Sequence, residues 1–338
     1  MEASFYDPEE GSGAVRCGLC GHRCRISDGD RGVCQVRENQ GGRLVALAYG
    51  RLLAMTPDPI EKKPLSHFQP GTRSLSIASA SCNLSCPWCQ NHHLSDMVRG
   101  GGRIAGDFVS PEVVVDEAVA RGCASISYTY SEPTIHYEHN RDVGRLARAR
   151  GLKNVFVTNG LMTVEAARDG AKTFLDAANV DLKAIRAGTY EKLCKGPLGA
   201  VLDCIRTLCE EGVWVEVTTL VIPELNDGQD ELGQIAQFLS GLSLDIPWHL
   251  SRYHPDHRWQ EAEATPLATL RRAREIGLEA GLHHVYTGNV WGDEGEHTYC
   301  PSCGQLVIQR RGFLASPEGM DGGKCRHCGT VIAGVEMP

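Results

Sequence analysis

The chain alternates between short apolar runs and longer segments in which apolar residues recur every three to four positions. Short apolar runs are typical of strands, and the longer periodic segments are typical of helices. Strands are predicted at 74–80, 124–130, 153–160, 178–183, 213–223, 246–255 and 283–288. Helices are predicted at 111–122, 133–151, 163–177, 188–211, 228–240 and 266–281. This alternation predicts βαβ units, a parallel sheet and an α/β fold.

No GxGxxG pattern follows the first predicted strand, which disfavours a dinucleotide-binding fold and favours an open or closed barrel. In barrels the chemistry lies at the carboxyl ends of the strands. The polar residues at those ends are Cys82, Cys86 and Cys89, then Glu132, Asn159, the pair Asp181 and Lys183, and finally His254. Taken singly, a Glu before Pro is more typical of a helix start, and Asp and Lys two positions apart are more typical of a surface pair. Their shared position at one rim favours a functional site.

Composition limits the class of protein. The 338 residues are 42% hydrophobic and 22% charged, as expected for a globular enzyme. The first residues lack the features of a signal peptide, and no run approaches eighteen apolar residues, so we expect a cytoplasmic protein without a membrane span. A net charge of −8 weakly disfavours broad electrostatic binding of nucleic acid or anionic lipid. A small-molecule substrate or a protein partner is expected instead.

Fifteen cysteines in a chain expected in a reducing compartment indicate metal ligands before disulfides. Eleven fall into three groups, which divide the chain into a Cys-rich segment (1–70), a barrel (71–295) and a zinc-ribbon-like module (296–338). The remaining four, Cys123, Cys194, Cys204 and Cys209, are interpreted as small buried hydrophobic residues.

The last group, Cys300, Cys303, Cys325 and Cys328, has two CxxCG pairs and predicts a zinc ribbon. Few basic residues surround it, so a structural cap or a docking module is favoured over nucleic-acid binding. The first group, Cys17, Cys20, Cys24 and Cys34, also offers four thiolates. Zinc is the preferred metal there, an auxiliary iron–sulfur cluster is the rival, and a disulfide is least favoured.

The middle group, Cys82-x3-Cys86-x2-Cys89, has three thiolates, one fewer than a closed zinc site needs. A [4Fe–4S] cluster has four irons, so three thiolates leave one iron free to bind a chelating substrate. The alternative is a zinc site completed by His92 or His93.

This spacing after a first barrel strand, with Trp88 before the last cysteine, resembles the radical S-adenosylmethionine (SAM) superfamily. The resemblance implies a partial or near-closed TIM-like (β/α) barrel whose open iron binds SAM. Reductive cleavage of SAM would then give methionine and a 5′-deoxyadenosyl radical. An electron donor such as flavodoxin or ferredoxin is implied as a partner.

A finer resemblance, to the AmmeMemoRadiSam-system radical SAM enzymes, covers nearly the whole chain from about residue 15. These enzymes are related to the activating enzymes of glycyl-radical enzymes. The motifs that carry it are RCGLCGHRCRISDGDRGVCQVREN, DPIEKKPLSHFQPG, SCNLSCPWCQN, YTYSEPT, TNG, VDLKA, TTLVIPELND, PWHLSRYHPDHR and YCPSCG with CRHCG.

The resemblance also implies residue roles. Cys82, Cys86 and Cys89 would bind the cluster, Trp88 would lie near the adenine and Glu132 would accept hydrogen bonds from the SAM amino group. Asn159, Asp181 and Lys183 would hold the ribose and carboxylate, and His254, or its rival His249, would approach SAM. Tyr130 and Ser131 stand where relatives have two glycines, so the backbone geometry there is a question for the structure.

Three functions follow. The first is hydrogen abstraction from a small molecule or from a residue of a partner protein. The second is activation of a glycyl-radical enzyme, and the third is a non-enzymatic scaffold in which the middle cysteines also hold zinc.

Overall fold

A computed structural model describes residues 1–99 and 102–338. Its centre is an eight-stranded sheet. The strands are β1 (Ala54–Pro59), β2 (Arg73–Ala78), β3 (Ser125–Tyr128), β4 (Lys153–Thr158), β5 (Ala177–Asp181), β6 (Trp214–Val221), β7 (Trp248–Arg252) and β8 (Val285–Gly288). Strands β2 to β8 are parallel and adjacent in chain order, and β1 adds to β2 in the antiparallel direction. The prediction of a parallel α/β sheet is confirmed.

Six longer helices connect these strands. They are α1 (Pro111–Ala120), α2 (Tyr137–Ala149), α3 (Val164–Thr173), α4 (Leu198–Glu210), α5 (Gln229–Ser240) and α6 (Leu267–Glu279). The starts of α1 and α3 are fixed by capping side chains, since Ser110 and Thr163 accept hydrogen bonds from the amides of Val113 and Ala166. Shorter turns of helix lie at Ile60–Lys62, His92–Ser95, Pro133–His136 and Glu294–Glu296.

The helix predicted at 188–211 is wrong as a single element. The structure has a short helix at Ala187–Thr189, a π-helix at Tyr190–Cys194, and then α4. The break lies at Lys195, whose φ of 64° is left-handed, and it is followed by Gly196 and Pro197. A left-handed residue cannot continue a helix, and proline disfavours helical backbone in the residue before it. The π-helix is therefore a separate element beside the site described below.

The sheet has a linear strand order, with β1 at one edge and β8 at the other. The loop that follows β1 is attached to the far strands. The carboxylate of Glu216 on β6 accepts hydrogen bonds from the amides of Ser66 and His67, at 2.9 and 2.8 Å. His67 also hydrogen-bonds the hydroxyl of Tyr286 on β8, at 2.6 Å. The fold is thus a partial barrel, and this loop spans its open side.

The segment before β1 forms small sheets around one side of the barrel. Its strands are Tyr6–Pro8, Val15–Cys17, Arg25–Ile26, Arg37–Gln40, Arg43–Ala46 and Arg51–Leu52, and the last pairs with Asp107–Phe108. Val15, Leu19 and Ile26 belong to the same hydrophobic core as the barrel strands. The buried Arg37 forms an ion pair with Glu138 of α2, with an N–O distance of 2.6 Å. Burial and charge pairing therefore fix this segment to the barrel.

The last part of the chain forms a three-stranded sheet and a hairpin. The strands are Thr298–Tyr299, Leu306–Arg311 and Leu314–Ser316, followed by Met320–Asp321 and Lys324–Cys325. They enclose a small hydrophobic core of their own, which includes Cys300, Val307, Ile308 and Cys325. Arg310 attaches this module to the barrel by donating to the carbonyl of Ser66, at 2.8 Å. Among the described residues, none of the helices has both the length and the apolar character needed to span a membrane.

Candidate active site

A cavity of about 370 Å³ lies at the carboxyl ends of the barrel strands. The residues from the sequence prediction that line it are Cys82, Cys86, Cys89, Trp88, Glu132, Asn159, Asp181 and Lys183. They come from loops and strand ends far apart in sequence, and the parallel sheet brings their ends to one edge. The structure therefore places eight of the nine predicted residues around one space.

Two of the three thiols of the cavity, those of Cys82 and Cys89, have hydrogen-bond partners nearby. The thiol of Cys82 accepts from the amide of Leu84 at 3.3 Å and from the side-chain amide of Asn159 at 3.5 Å. The thiol of Cys89 lies 3.5 Å from the hydroxyl of Ser95. N–H and O–H donors of this kind stabilise thiolate ligands. The loop is thus built to present sulfur to the cavity.

The spacing of these thiols is too wide for one zinc ion. In the described part of the chain, Cys82, Cys86 and Cys89 do not form a group of ligand atoms that all lie within 4.8 Å of one another, with or without a histidine. His92 instead stacks on His257, with ring centroids 4.4 Å apart. The geometry fits a multinuclear cluster better than a zinc site completed by His92 or His93.

Glu132 is 2% exposed, and its carboxylate is already well bonded. One oxygen accepts from the amide of Thr134 at 2.9 Å and from the hydroxyl of Thr158 at 2.7 Å. The other accepts from the amide of Asn159 at 2.8 Å. Burial raises the pKa of Glu132, although these donors oppose the shift. Glu132 therefore starts a turn of helix and also lines the cavity, with acceptor capacity left for one more donor.

Tyr130, which stands where relatives have a glycine, has a backbone conformation that is typical of glycine. Its φ is 66°, a left-handed conformation that glycine adopts freely and that costs other residues about 1–2 kcal/mol. The Tyr130 hydroxyl donates to the carboxylate of Asp58 on β1, and the Lys63 ammonium lies 4.6 Å from its ring centroid. Burial lowers the pKa of Lys63 to about 8, although its ion pair with Asp58 at 2.8 Å opposes this shift. Contacts with Asp58 on β1 and with Lys63 thus hold Tyr130 in a left-handed backbone conformation that glycine usually adopts.

Asp181 and Lys183 form an ion pair at 3.1 Å, as their spacing predicts. Burial disfavours the Lys183 ammonium, but the neighbouring Asp181 carboxylate outweighs it and raises the pKa of Lys183 well above its ordinary range. The amide of Lys183 donates to the hydroxyl of Tyr190 in the π-helix, at 3.0 Å. A fixed positive charge therefore faces the cavity.

Aromatic side chains close one wall, and the two predicted histidines lie elsewhere. Trp88 is 3% exposed and meets Trp259 edge to face, with ring centroids 5.8 Å apart. His254 is exposed and is not among the described residues that line the cavity. His249 is buried and bonds the carboxylate of Glu216 at 2.6 Å. Neither histidine is brought to the three cysteines.

Cys194 is a residue that sequence reasoning missed. It is fully buried, and its carbonyl accepts a hydrogen bond at 2.8 Å from the amide of Ser85, the residue before Cys86. It comes from the π-helix, an element that often occurs at functional sites. No spacing in the sequence links it to the three-cysteine loop, because the contact depends on the break at Lys195.

A second cavity, of about 290 Å³, adjoins the first. Lys62, Pro64, Ser251 and Asn289 line both spaces. The second is also lined by His249 and Tyr286 of the barrel and by Arg310 and Phe313 of the last module. The two cavities together give room for a second molecule next to the three cysteines.

The four cysteines of the last module form a compact ligand set. Their sulfur atoms all lie within 4.8 Å of one another. The Cys300–Cys328 and Cys303–Cys325 distances are 3.6 and 3.7 Å. Four thiolates around one tetrahedral zinc at Zn–S of about 2.3 Å stand about 3.8 Å apart. This cluster could therefore bind zinc.

Comparison with known proteins gives one family. The family model described as "Radical SAM superfamily" matches residues 76–239. The chain is 41% identical over 334 residues to the uncharacterized protein MJ0808 of Methanocaldococcus jannaschii, covering 98% of both chains. It is also 30% identical over 173 residues to the GTP 3′,8-cyclase of Geobacter sulfurreducens, covering 49% of each.

A solved structure has the same fold. Streptococcus suis SuiB, in a crystal structure bound to S-adenosylmethionine, superposes with a TM-score of 0.51 at 15% identity. The match covers 68% of this chain and 53% of SuiB. Together with the parallel partial barrel and the three-cysteine loop at its rim, the family match shows a radical SAM superfamily domain over residues 76–239.

Proposed function

We propose that this chain binds a [4Fe–4S] cluster through Cys82, Cys86 and Cys89 and cleaves SAM reductively in the cavity of about 370 Å³. The observation that carries the proposal is the convergence of three widely spaced thiols with Asn159 and Lys183 on that cavity. When bound, the cluster supplies one electron to SAM, and SAM supplies a 5′-deoxyadenosyl radical.

The chain's own groups would orient SAM. The Lys183 ammonium, fixed by Asp181, offers a point charge for a carboxylate. The free acceptor capacity of Glu132 suits an ammonium donor, and the buried Trp88 offers an aromatic wall. His254 is exposed and lies outside the lining of this cavity, so the proposed SAM contacts do not include it.

The substrate would occupy the adjoining cavity and lose a hydrogen atom there. This position lies next to the SAM cavity, with Lys62 and Ser251 on the shared wall. A small molecule or a residue of a partner protein fits this proposal. The motifs shared with AmmeMemoRadiSam-system enzymes support a place in that group, with flavodoxin or ferredoxin as electron donor.

The decisive experiment is anaerobic reconstitution followed by measurement of 5′-deoxyadenosine and methionine with a strong reductant. Alanine at Cys82, Cys86 and Cys89 together should abolish both products. Cys209→Ala is the matched control, because Cys209 lies on α4 away from the cavity and should retain activity. Undiminished cleavage by the triple variant would contradict the proposal.

A second measurement separates SAM binding from cluster binding. Lys183→Ala and Glu132→Gln should weaken SAM binding while leaving the cluster absorbance spectrum largely intact, because both side chains are proposed to contact SAM and not iron. Loss of iron with unchanged SAM affinity in the remaining cluster would argue against this role.

A further inference from the structure

The first four cysteines, Cys17, Cys20, Cys24 and Cys34, are named here the head tetrad. All four are free thiols, three are buried, and Cys24 is half-buried. They line one narrow, enclosed cavity that lies apart from the two described above. Converging thiols in an enclosed space are a ligand set, and their spacing bears on which metal they fit.

The spacing of the head tetrad differs from that of Cys300, Cys303, Cys325 and Cys328, named here the tail tetrad. Within the described residues, only the tail cysteines form a set whose sulfurs all lie within 4.8 Å of one another. The head thiols, like Cys82, Cys86 and Cys89, include no such set of three or more. Thiolates on different irons of a cluster stand farther apart than thiolates on one ion, because the inorganic core lies between them. The head tetrad therefore matches the barrel cysteines and not the zinc-like tail.

Arg37 gives the head cavity a buried positive charge and a free donor. It is 1% exposed and lines the cavity. Its Nη2 donates to both oxygens of Glu138, and its Nη1 donates to the carbonyl of Ser4. Its Nε has no hydrogen-bond partner. Hydrogen bonds to the sulfurs of an iron–sulfur cluster stabilise its reduced, more negative state. Cluster sulfurs would satisfy this otherwise costly buried donor.

Two hydrogen bonds join the head tetrad to the barrel cysteines. The hydroxyl of Ser81 donates to the carbonyl of Cys34, at 2.6 Å. The ring N–H of His22 donates to the carbonyl of Asn83, at 2.7 Å. Ser81 and Asn83 are the residues on either side of Cys82. The head tetrad and the barrel cysteines are therefore direct neighbours.

We propose that the head tetrad binds an iron–sulfur cluster and passes single electrons to the cluster at Cys82, Cys86 and Cys89. In this step the head cluster is oxidised by one electron and the barrel cluster is reduced by one. A reduced one-electron donor protein then returns the head cluster to its reduced state. The electron-transfer part rests on the proposed function, whereas the metal assignment does not.

Metal analysis of the full chain tests the assignment. The variant with alanine at Cys82, Cys86 and Cys89, reconstituted anaerobically, should keep about two or about four irons per chain in the head and about one zinc in the tail. Adding Cys20→Ser and Cys34→Ser should remove that iron, and Cys209→Ser, the matched control, should not. The assignment would be overturned if the triple variant contained about two zinc ions and if adding Cys20→Ser and Cys34→Ser left its iron content unchanged.

The unsubstituted chain provides a check that does not depend on the folding of any variant. More than four irons with about one zinc supports the head cluster, and about four irons with about two zinc ions overturns it. Mössbauer spectra of the triple variant distinguish a two-iron from a four-iron head cluster. None of these measurements uses SAM, so a failure of SAM cleavage leaves them valid.

Comparison of reductants tests the electron transfer. The variant Cys20→Ser and Cys34→Ser should cleave SAM with dithionite, a small reductant that reaches the barrel cluster directly. With reduced flavodoxin its rate should fall to that measured without donor. An equal rate in variant and parent with flavodoxin, or an equal loss with both reductants, would overturn the electron-transfer role.

Discussion

The head and tail tetrads offer the same four thiolates in opposite surroundings. The tail thiols are compact, Cys303 and Cys328 are exposed, and the module around them has a hydrophobic core of its own. Among the described residues, no three head sulfurs all lie within 4.8 Å of one another. Most of the head thiols are buried, and their segment shares the core of the barrel. The comparison teaches that the number of cysteines does not identify a metal centre. The fold around them sets the spacing, and the spacing selects the metal.

The largest expected effect is loss of the tail fold when two of the four tail thiols are removed. Cys300→Ser with Cys325→Ser takes the buried cysteine from each pair, and structural zinc contributes about 10–16 kcal/mol in small zinc domains. We expect loss of about one zinc per chain and rapid proteolysis within residues 296–338, with iron unchanged. Mass spectrometry of the fragments and metal analysis measure this. Loss of iron from this variant would remove the distinction between the two tetrads.

The second prediction compares two buried arginines. Arg37→Met leaves the Glu138 carboxylate buried without its partner, which costs about 3–5 kcal/mol. Arg310 hydrogen-bonds only neutral acceptors, at Ser66, Thr298 and the carbonyl of Glu296, and acts on the carboxyl of Glu61 without a direct hydrogen bond. Arg310→Met should therefore cost less, about 1–3 kcal/mol. Chemical denaturation of each variant gives the free energy of unfolding. A larger loss for Arg310 than for Arg37 would contradict the view that charge pairing fixes the head segment more firmly than the tail.

The third prediction concerns access to the thiols. A thiol-alkylating reagent with a chelator should modify Cys303 and Cys328 first, because both are exposed. Cys20 and Cys34 are buried, so their modification requires local opening and should be slower by on the order of tenfold or more. Peptide mapping over time measures both rates. Similar rates at the two tetrads would show that the head opens as readily as the tail.

The smallest expected effect is a pH dependence at the contact between tail and barrel. Burial raises the pKa of Glu61 above its ordinary value of 4.5, although Arg310 opposes the shift. The folded chain therefore keeps this proton where the unfolded chain loses it. Its contribution to stability is complete below pH 4.5 and declines as the pH rises through the raised value.

Glu61→Gln should remove this decline. His67 and His284 lie nearby with lowered pKa values and contribute the opposite slope, so the difference between variant and parent isolates Glu61. Stability of both proteins across pH 4 to 8 is the measurement. Parallel curves for variant and parent would show that Glu61 does not titrate differently on folding.

Much of the barrel was predictable because its strands are buried on both faces and read as apolar runs. All seven predicted strands occur, and each of the six predicted helical regions contains a helix. Strand β1 was missed because Pro57 and Pro59 argue against a strand. Proline is tolerated there because β1 is an edge strand with one unpaired side.

The candidate site was predictable where the signal is local. The three-cysteine spacing and the Asp181–Lys183 pair are readable along the chain, and both reach the cavity. The place of Cys194 beside this loop was not predictable, because its hydrogen bond with the amide of Ser85 depends on a break between two helices. His254 follows β7, as the sequence predicted, but its side chain is exposed. The loop after β7 places Trp259 against Trp88 instead.

By itself the sequence determined the parallel barrel, the three-cysteine loop at its rim and two groups of four cysteines with the spacing of metal ligands, because periodicity and close ligand spacing are properties of the chain. Only the tertiary structure decided how far apart the thiols of each tetrad stand, that Asp58 holds Tyr130 in a glycine-like conformation, and that Ser81 and His22 join the head tetrad to Cys82. These distances arise between segments separated by tens of residues. They depend on how the segments pack, and no local pattern in the sequence encodes that.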